Sequence, residues 1–477
     1  MQAQLRMRSF TADLRLPLGA EVLAMPNVAP LSNVPQAVRQ ALVAPVAGPA
    51  LRTAYATQAS RGHSETVCVV VPDNTRPLQC TGPRGVLWPV VEELLRLGVP
   101  GPSIKVVVAT GTHRTLHHAE LRQLIDSRVW ESGAEVLCHD CVSTEGLVLV
   151  GTSSRGTEAR VNRVYVESAF RVILGLVESH FMAGVSGGRK MICPGLLGRE
   201  SVRVFHGAAM LDSPGVEDLC VAGNPCHAEA LEIARIVPPQ YTLNFTCRGD
   251  GELTGAFGGE LERCHEAAAE WLKSYVVIPI EREYDLVVIH GGHVGLNHYQ
   301  AAKAAVSGAR AVRPGGGLVV VADTVDTDVV GSDEYRAMLA LLSTVGPQAF
   351  RRLVLSDDWT FVPDQWQVQM WAKVFTRIPA WNFAYFSPQT TAQDYRIIPG
   401  LGPSDVRCDL GPDAPAAQRV AEFVERALLV VEAKIGLSGS SAVRVGYCPD
   451  GPFGIPALAG VKPACGPSAP SRAESLV

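Results

Sequence analysis

No charge of one sign dominates this chain. Forty-two Lys and Arg stand against 47 Asp and Glu, a formal net charge of −5. Nucleic-acid-binding domains are usually basic, so the balance argues against a nucleic-acid partner. No apolar run reaches the roughly 18 residues that a spanning helix needs, so no membrane segment is expected. The stretch from Met1 to Leu16 is polar, carries Arg6, Arg8 and Arg15, and lacks an uninterrupted apolar core. It reads as no secretion signal, which sets the expectation of a cytoplasmic protein. The twelve cysteines are scattered, and the one close pair is Cys138-His-Asp-Cys141. It lacks the second ligand pair of a zinc site, so these are read as reduced thiols. The first strand is not followed by GxGxxG. Ser186-Gly-Gly-Arg-Lys190 lacks the glycine spacing and the trailing Ser or Thr of a P-loop.

What is present is a core-forming α/β rhythm. Hydrophobic residues make up 47% of the 477 and charged residues 19%, enough for a large core. Continuous β-branched runs at 66–71 (TVCVVV), 104–109 (IKVVVA) and 171–177 (RVILGLV) alternate with amphipathic stretches at 85–97 and 118–125. Strands buried on both faces of a parallel sheet read this way. The rhythm restarts at 285–289 (DLVVI) and 317–322 (GLVVVA), with helices at 299–306, 333–344, 364–376 and 414–434. The expected fold is α/β: two domains, each with a mostly parallel sheet flanked by helices in a Rossmann-like arrangement, with the active site between them. The boundaries read as 1–274, a linker at 275–283, a second domain at 284–445 and a loosely ordered, Pro- and Gly-rich tail at 446–477.

The densest chemistry lies in the loop that follows 171–177. It packs His180, Ser186, Gly187, Gly188, Arg189 and Lys190 into a few residues. Small residues let backbone N–H groups approach a ligand, and the Arg-Lys pair is read as positive charge beside them. Further strand ends carry Asp73, Thr75 and Arg76; Thr112, His113 and Arg114; and His290 with His293. Ligands of open α/β sheets bind outside the carboxyl ends of strands, so the first three sets could converge. Gly184-Val-Ser-Gly-Gly188 also fits GxSxG, which keeps a serine hydrolase open, although Ser186 lies well past the strand end rather than in a tight turn. A nucleotide-dependent dehydrogenase on a similar scaffold stays open as well, as does a non-catalytic cofactor carrier.

Six motifs, in their order and spacing over about residues 14–436, resemble the nickel-pincer nucleotide-dependent lactate racemase family. They are PDNTRP (72–77), GTHR (111–114), SHFMAGVSGGRKMICPG (179–195), GNPCHAEALEIA (223–234), LNHYQAAK (296–303) and DQWQVQ (364–369). The resemblance implies an isomerase, a 2-hydroxy acid racemase or epimerase. It would work by proton-coupled hydride transfer through a 2-keto acid. It implies a nickel-pincer nucleotide, Ni(II) pyridinium-3,5-bisthiocarboxylic acid mononucleotide, attached covalently at Lys190, with His206 as the protein's metal ligand. His113 and His180 would be the two bases, a role that suits imidazole because its pKa lies near neutrality. Arg76 would bind the substrate carboxylate, joined by Tyr299, Gln300 and Lys303. Asp73, Asn74, Thr75, Arg76, Ser186, Gly187, Gly188 and Trp366 would hold the cofactor. The implied partners are a small 2-hydroxy acid and the cofactor-maturation enzymes. His117, His118, His293 and His298 are additional histidines that the resemblance leaves without a role. The identity of the acid and the oligomeric state stay open.

Overall fold

The computed structural model of the chain describes residues 1–60, 66–436 and 443–460. It divides into two compact units, Met1–Asn27 with Tyr275–Lys462, and Val28–Ser274. Each is α/β, as the sequence pattern requires.

The unit Val28–Ser274 is built on a six-stranded sheet. Its order is Leu253–Gly259, Tyr241–Cys247, Phe170–Leu176, Val67–Pro72, Ile104–Ala109, Glu135–Cys138. All neighbours are parallel except the first pair, an antiparallel edge. Val67–Pro72 is buried at every position, so both of its faces are covered. Helices Leu87–Arg96 and Pro225–Ile236 present Leu87, Val90, Val91 and Leu94, and Ala230, Ile233 and Ala234, to the core. The apolar alternation at 160–166 reads as a strand, but the strand Glu158–Asn162 ends partway through it. The Asn162 side chain accepts from Tyr165 N–H and starts the helix Arg163–Glu167.

The other unit holds a five-stranded, wholly parallel sheet ordered Phe383–Phe386, Val312–Val321, Tyr284–His290, Val445–Cys448, Glu21–Val22. Its core joins Leu5, Ala12, Leu14 and Leu16 to Val288, Val319, Phe386, Phe423, Val424 and Tyr447. The long helix Ala416–Lys434 packs there through Val420, Phe423, Ala427 and Val431. Three sequence expectations change here. The first 27 residues belong with the second half of the chain, because their alternating apolar residues complete its core. Within the stretch read as a linker, Val277–Ile280 is a strand paired with Ile455–Leu458. The tail expected to be loose from Gly446 is built into two sheets, since Val445–Cys448 and Ile455–Leu458 are apolar strands; residues 461–477 lie outside those described. No described helix is long and apolar enough to cross a membrane.

Candidate active site

The loop after Phe170–Leu176 folds as a tight antiparallel turn, Ser179–His180 pairing with Gly184–Val185. What holds it is largely remote in sequence. Asn224 Nδ2 donates to Met182 O (2.9 Å) and Cys220 O (3.0 Å), while its Oδ1 caps Pro225–Ile236. Leu219 N–H donates to Gly184 O at 2.8 Å. Gly184 has φ +76, and a Cβ there would lie 2.0 Å from Cys220 O, so only glycine fits. The GNP motif at 223–225 is thus a brace for the His180 loop.

The sequence pattern offers Arg189 as charge for a ligand, and the structure corrects this. The side chain is 2% exposed and turns inward. Its Nη2 donates to Ala183 O and Val185 O, both at 3.2 Å, and its Nη1 lies 2.7 Å from His265 Nε2. Burial pushes its pKa down to about 9, and burial with the Arg189 charge pushes His265 to about 3. Ser186 is committed as well. Its Oγ accepts from Glu178 N–H (3.0 Å) and donates to Leu176 O (2.7 Å). It is 2% exposed, so the nucleophile that a serine hydrolase would need is locked into backbone contacts. Gly188 N–H donates to Asn244 Oδ1 at 2.9 Å, and a Cβ on Gly188 (φ +48) would meet the His265 ring at 2.6 Å. The close approach these glycines permit is to the protein's own Asn244 and His265.

Lys190, by contrast, is directed at another side chain. Its Nζ lies 2.7 Å from His180 Nε2. His180 Nδ1 accepts from Met182 N–H and Ala183 N–H, each at 3.2 Å. Lys190 Nζ also sits 5.9 Å from the Phe205 ring centroid, beside His206 in sequence. His206 is 7% exposed, and burial holds its pKa well below the ordinary imidazole value, with the charges of Lys190 and His113 adding to the effect. It is therefore neutral and able to donate a lone pair.

His113 leaves the end of Ile104–Ala109 in a loop clasped to the lysine loop by Gly111 N–H to Gly195 O, 3.0 Å. Its Nδ1–H donates to Asp73 Oδ2 at 2.7 Å, which frees Nε2 as the proton-accepting edge. Asp73 Oδ1 accepts from Thr75 Oγ (2.6 Å) and Thr75 N–H (3.2 Å). Burial would raise the Asp73 pKa, but His113, Arg76 and Thr75 outweigh it and hold the carboxyl below its usual range. Asp73 and Thr75 thus orient His113. Arg76 Nε pairs with Glu178 Oε1 at 3.2 Å, while Arg76 Nη1 and Glu178 Oε2 are buried with no hydrogen-bond partner. Asn74 lies between Asp73 and Thr75 in the same turn.

The remaining expected residues lie in the other unit. Asn297 caps the helix His298–Ala309 by accepting from Gln300 N–H, which places Tyr299, Gln300 and Lys303 in its first turns. Trp366, on Gln365–Arg377, donates through Nε1 to Tyr299 Oη at 2.7 Å, and Gln367 Nε2 donates to Tyr299 O. Gln300 is 5% exposed and its Oε1 is buried without a partner. His298 is stacked on Trp371 (4.7 Å, 11°). Trp371 Nε1 donates to Tyr335 Oη (2.9 Å), whose O–H faces His298 Nδ1 at 2.8 Å. His290 lies 2.7 Å from Pro449 O through Nε2, and His117 caps its helix. Cys138 and Cys141 are free thiols, and no group of three or more His, Cys, Asp or Glu among the described residues could hold a metal ion.

Residues 8–218 match the family described as the lactate racemase N-terminal domain. The lactate racemase of Lactiplantibacillus plantarum is 26% identical over 310 residues, 65% of this chain and 71% of that protein. The lactate racemase of Thermoanaerobacterium thermosaccharolyticum is 26% identical over 313 residues, again 65% and 71%. The solved lactate racemase apoprotein of T. thermosaccharolyticum aligns with a TM-score of 0.78 at 20% identity, over 96% of this chain and 100% of that one. A structure of a Thermotoga maritima protein aligns at 0.60 and 16% identity, over 91% and 100%. The two structural likenesses establish the fold.

Proposed function

We propose that this chain is a member of the lactate racemase family and an isomerase that inverts C2 of a 2-hydroxy acid, lactate or a close relative. The observation that carries the reading is the meeting of Lys190 Nζ with His180 Nε2 at 2.7 Å, beside a neutral, buried His206. A lysine and an unprotonated imidazole are the two attachments that a nickel-pincer nucleotide asks of its protein. His206 would be the protein's metal ligand, because burial keeps its imidazole in the neutral form that donates to a metal. Lys190 and His206 would therefore hold the cofactor, with Trp366 as a further contact. When bound, that group supplies an acceptor for the C2 hydrogen as hydride.

The chain's own residues do the rest. His113 offers Nε2 because Asp73 holds its Nδ1–H, so it can take the hydroxyl proton of one enantiomer and return it. His180 would offer Nε2, which faces Lys190 Nζ at 2.7 Å, to the hydroxyl of the other when the lysine is engaged by the cofactor. Arg76 Nη1, a buried donor with no partner, is suited to the substrate carboxylate. Tyr299, Gln300 and Lys303 are proposed as further substrate contacts. The cytoplasm, where the thiols stay reduced, is the compartment this proposal implies.

The test is intact mass and metal content of the chain co-produced with cofactor-maturation enzymes, followed by a racemisation assay on enantiopure lactate. A mass increase on Lys190, bound nickel and loss of optical rotation are expected. An unmodified, nickel-free Lys190 under those conditions would sink the proposal.

A further inference from the structure

We infer that Glu178 restricts this site to monocarboxylic 2-hydroxy acids and excludes dicarboxylic ones such as malate. The inference rests on the proposed racemase reading and names a residue that reading does not use. Glu178 is 5% exposed and stands two positions before His180. Its Oε1 pairs with Nε of Arg76, the group proposed to bind the substrate carboxylate.

Two features of this pair select the ligand. The first is charge. Glu178 already balances Arg76, and Asp73 is a second buried carboxylate, committed to His113 and Thr75. Acylation of Lys190 removes its cation, as it does for any lysine amine. One incoming carboxylate then finds a guanidinium that is already paired, and a second brought beside it meets the buried Glu178 and Asp73 carboxylates. Like charges brought together under such conditions discriminate strongly. The second feature is hydrogen bonding. Arg76 Nη1 is a buried donor and Glu178 Oε2 a buried acceptor, both without a partner. A 2-hydroxy monoacid brings one carboxylate as acceptor for Nη1 and no second acceptor to face Oε2. A second carboxylate brings only acceptors to a place that already has one too many.

The experiment uses cofactor-loaded enzyme and the two probes L-lactate and L-malate, read as kcat/KM for racemisation and as calorimetric Kd. Wild type should prefer lactate by about 100-fold or more, in KM and Kd rather than in kcat. Glu178→Gln, which keeps the shape and removes the charge, should narrow the preference by about tenfold or more, while Glu178→Asp keeps it. Equal handling of both acids by wild type, or an unchanged ratio in Glu178→Gln, would overturn the inference while leaving the racemase reading intact. Turnover of neither acid, with Lys190 loaded, would instead overturn the reading itself. If Glu178→Gln lacks a melting transition, the wild-type Kd ratio alone decides.

Discussion

The two units use polar residues in opposite ways. In Val28–Ser274 the ionisable groups are aimed at one another: Lys190 at His180, His113 at Asp73, Arg76 at Glu178. In the unit containing Tyr275–Lys462 the corresponding groups are aromatic and amide: Trp366 on Tyr299, Gln367 on the Tyr299 carbonyl, His298 between Trp371 and Tyr385. Burial raises the Tyr299 pKa well above its ordinary value and pushes His298 down to about 3, so both stay neutral. The proposed proton-transfer groups lie in the first unit, and the second contributes neutral aromatic and amide contacts around Tyr299 and His298.

That contrast can be broken at four points, from the largest effect downward. Lys190→Ala should abolish both the mass increase and racemisation, a loss of about a thousandfold or more, read by intact mass and chiral chromatography. Retained activity would remove the centre of the first unit. His113→Gln should lower kcat about 10²- to 10⁴-fold. Asp73→Asn should reproduce part of that loss and change the pH profile of kcat, because it alters the tautomer rather than the base. Equal losses from both enantiomeric directions are required at equilibrium, so the informative asymmetry is in initial-rate kcat for each enantiomer.

The third point is stability against pH. His298 in one unit and His265 in the other both have folded pKa values of about 3, from burial first. Their unfolded values lie near 6.5, so below that pH the unfolded chain binds protons the folded chain refuses. Stability must therefore fall as pH drops from about 6.5 toward 3, by about 2 kcal/mol per histidine at pH 5. His298→Gln should flatten that slope in melting curves between pH 7 and 5, and an unchanged slope would contradict the burial argument. The fourth point is Trp366→Phe, which removes only the hydrogen bond to Tyr299. About 1 kcal/mol is expected, a several-fold rise in KM with kcat nearly kept. A collapse of kcat instead would mean that the second unit takes part in chemistry.

The strands that carry the site were legible because continuous β-branched runs have few other destinations, and Val67–Pro72, Ile104–Ala109 and Phe170–Leu176 fall within a residue of their expected places. Asn224-Pro225 as a helix start was legible for a local reason, since an Asn cap followed by Pro declares itself. What could not be read was which polar residue faces which. Arg189 and Lys190 are adjacent and alike in charge, yet one is buried against carbonyls and the other meets His180. Ser186 looks available in the sequence and is spent on the backbone. Those assignments depend on Asn224, Asn244 and His265, which lie tens of residues downstream and act only once the sheet has brought them back. The allegiance of the first 27 residues was hidden for the same reason. Their alternation announces a strand without saying whose.

Glu21–Val22 is the edge strand beside Val445–Cys448, and Arg444 reaches Glu21 across 423 positions. During synthesis the two segments are therefore born at opposite times. Val28–Ser274 is contiguous and can close as it leaves the ribosome, with its lysine and histidines already in place. Leu5, Leu14 and Leu16, made before any of it, have no core to enter until the second unit's strands exist. A cell making this protein keeps a short, partly apolar segment waiting through most of translation, and Val28–Ser274 is finished while that wait goes on.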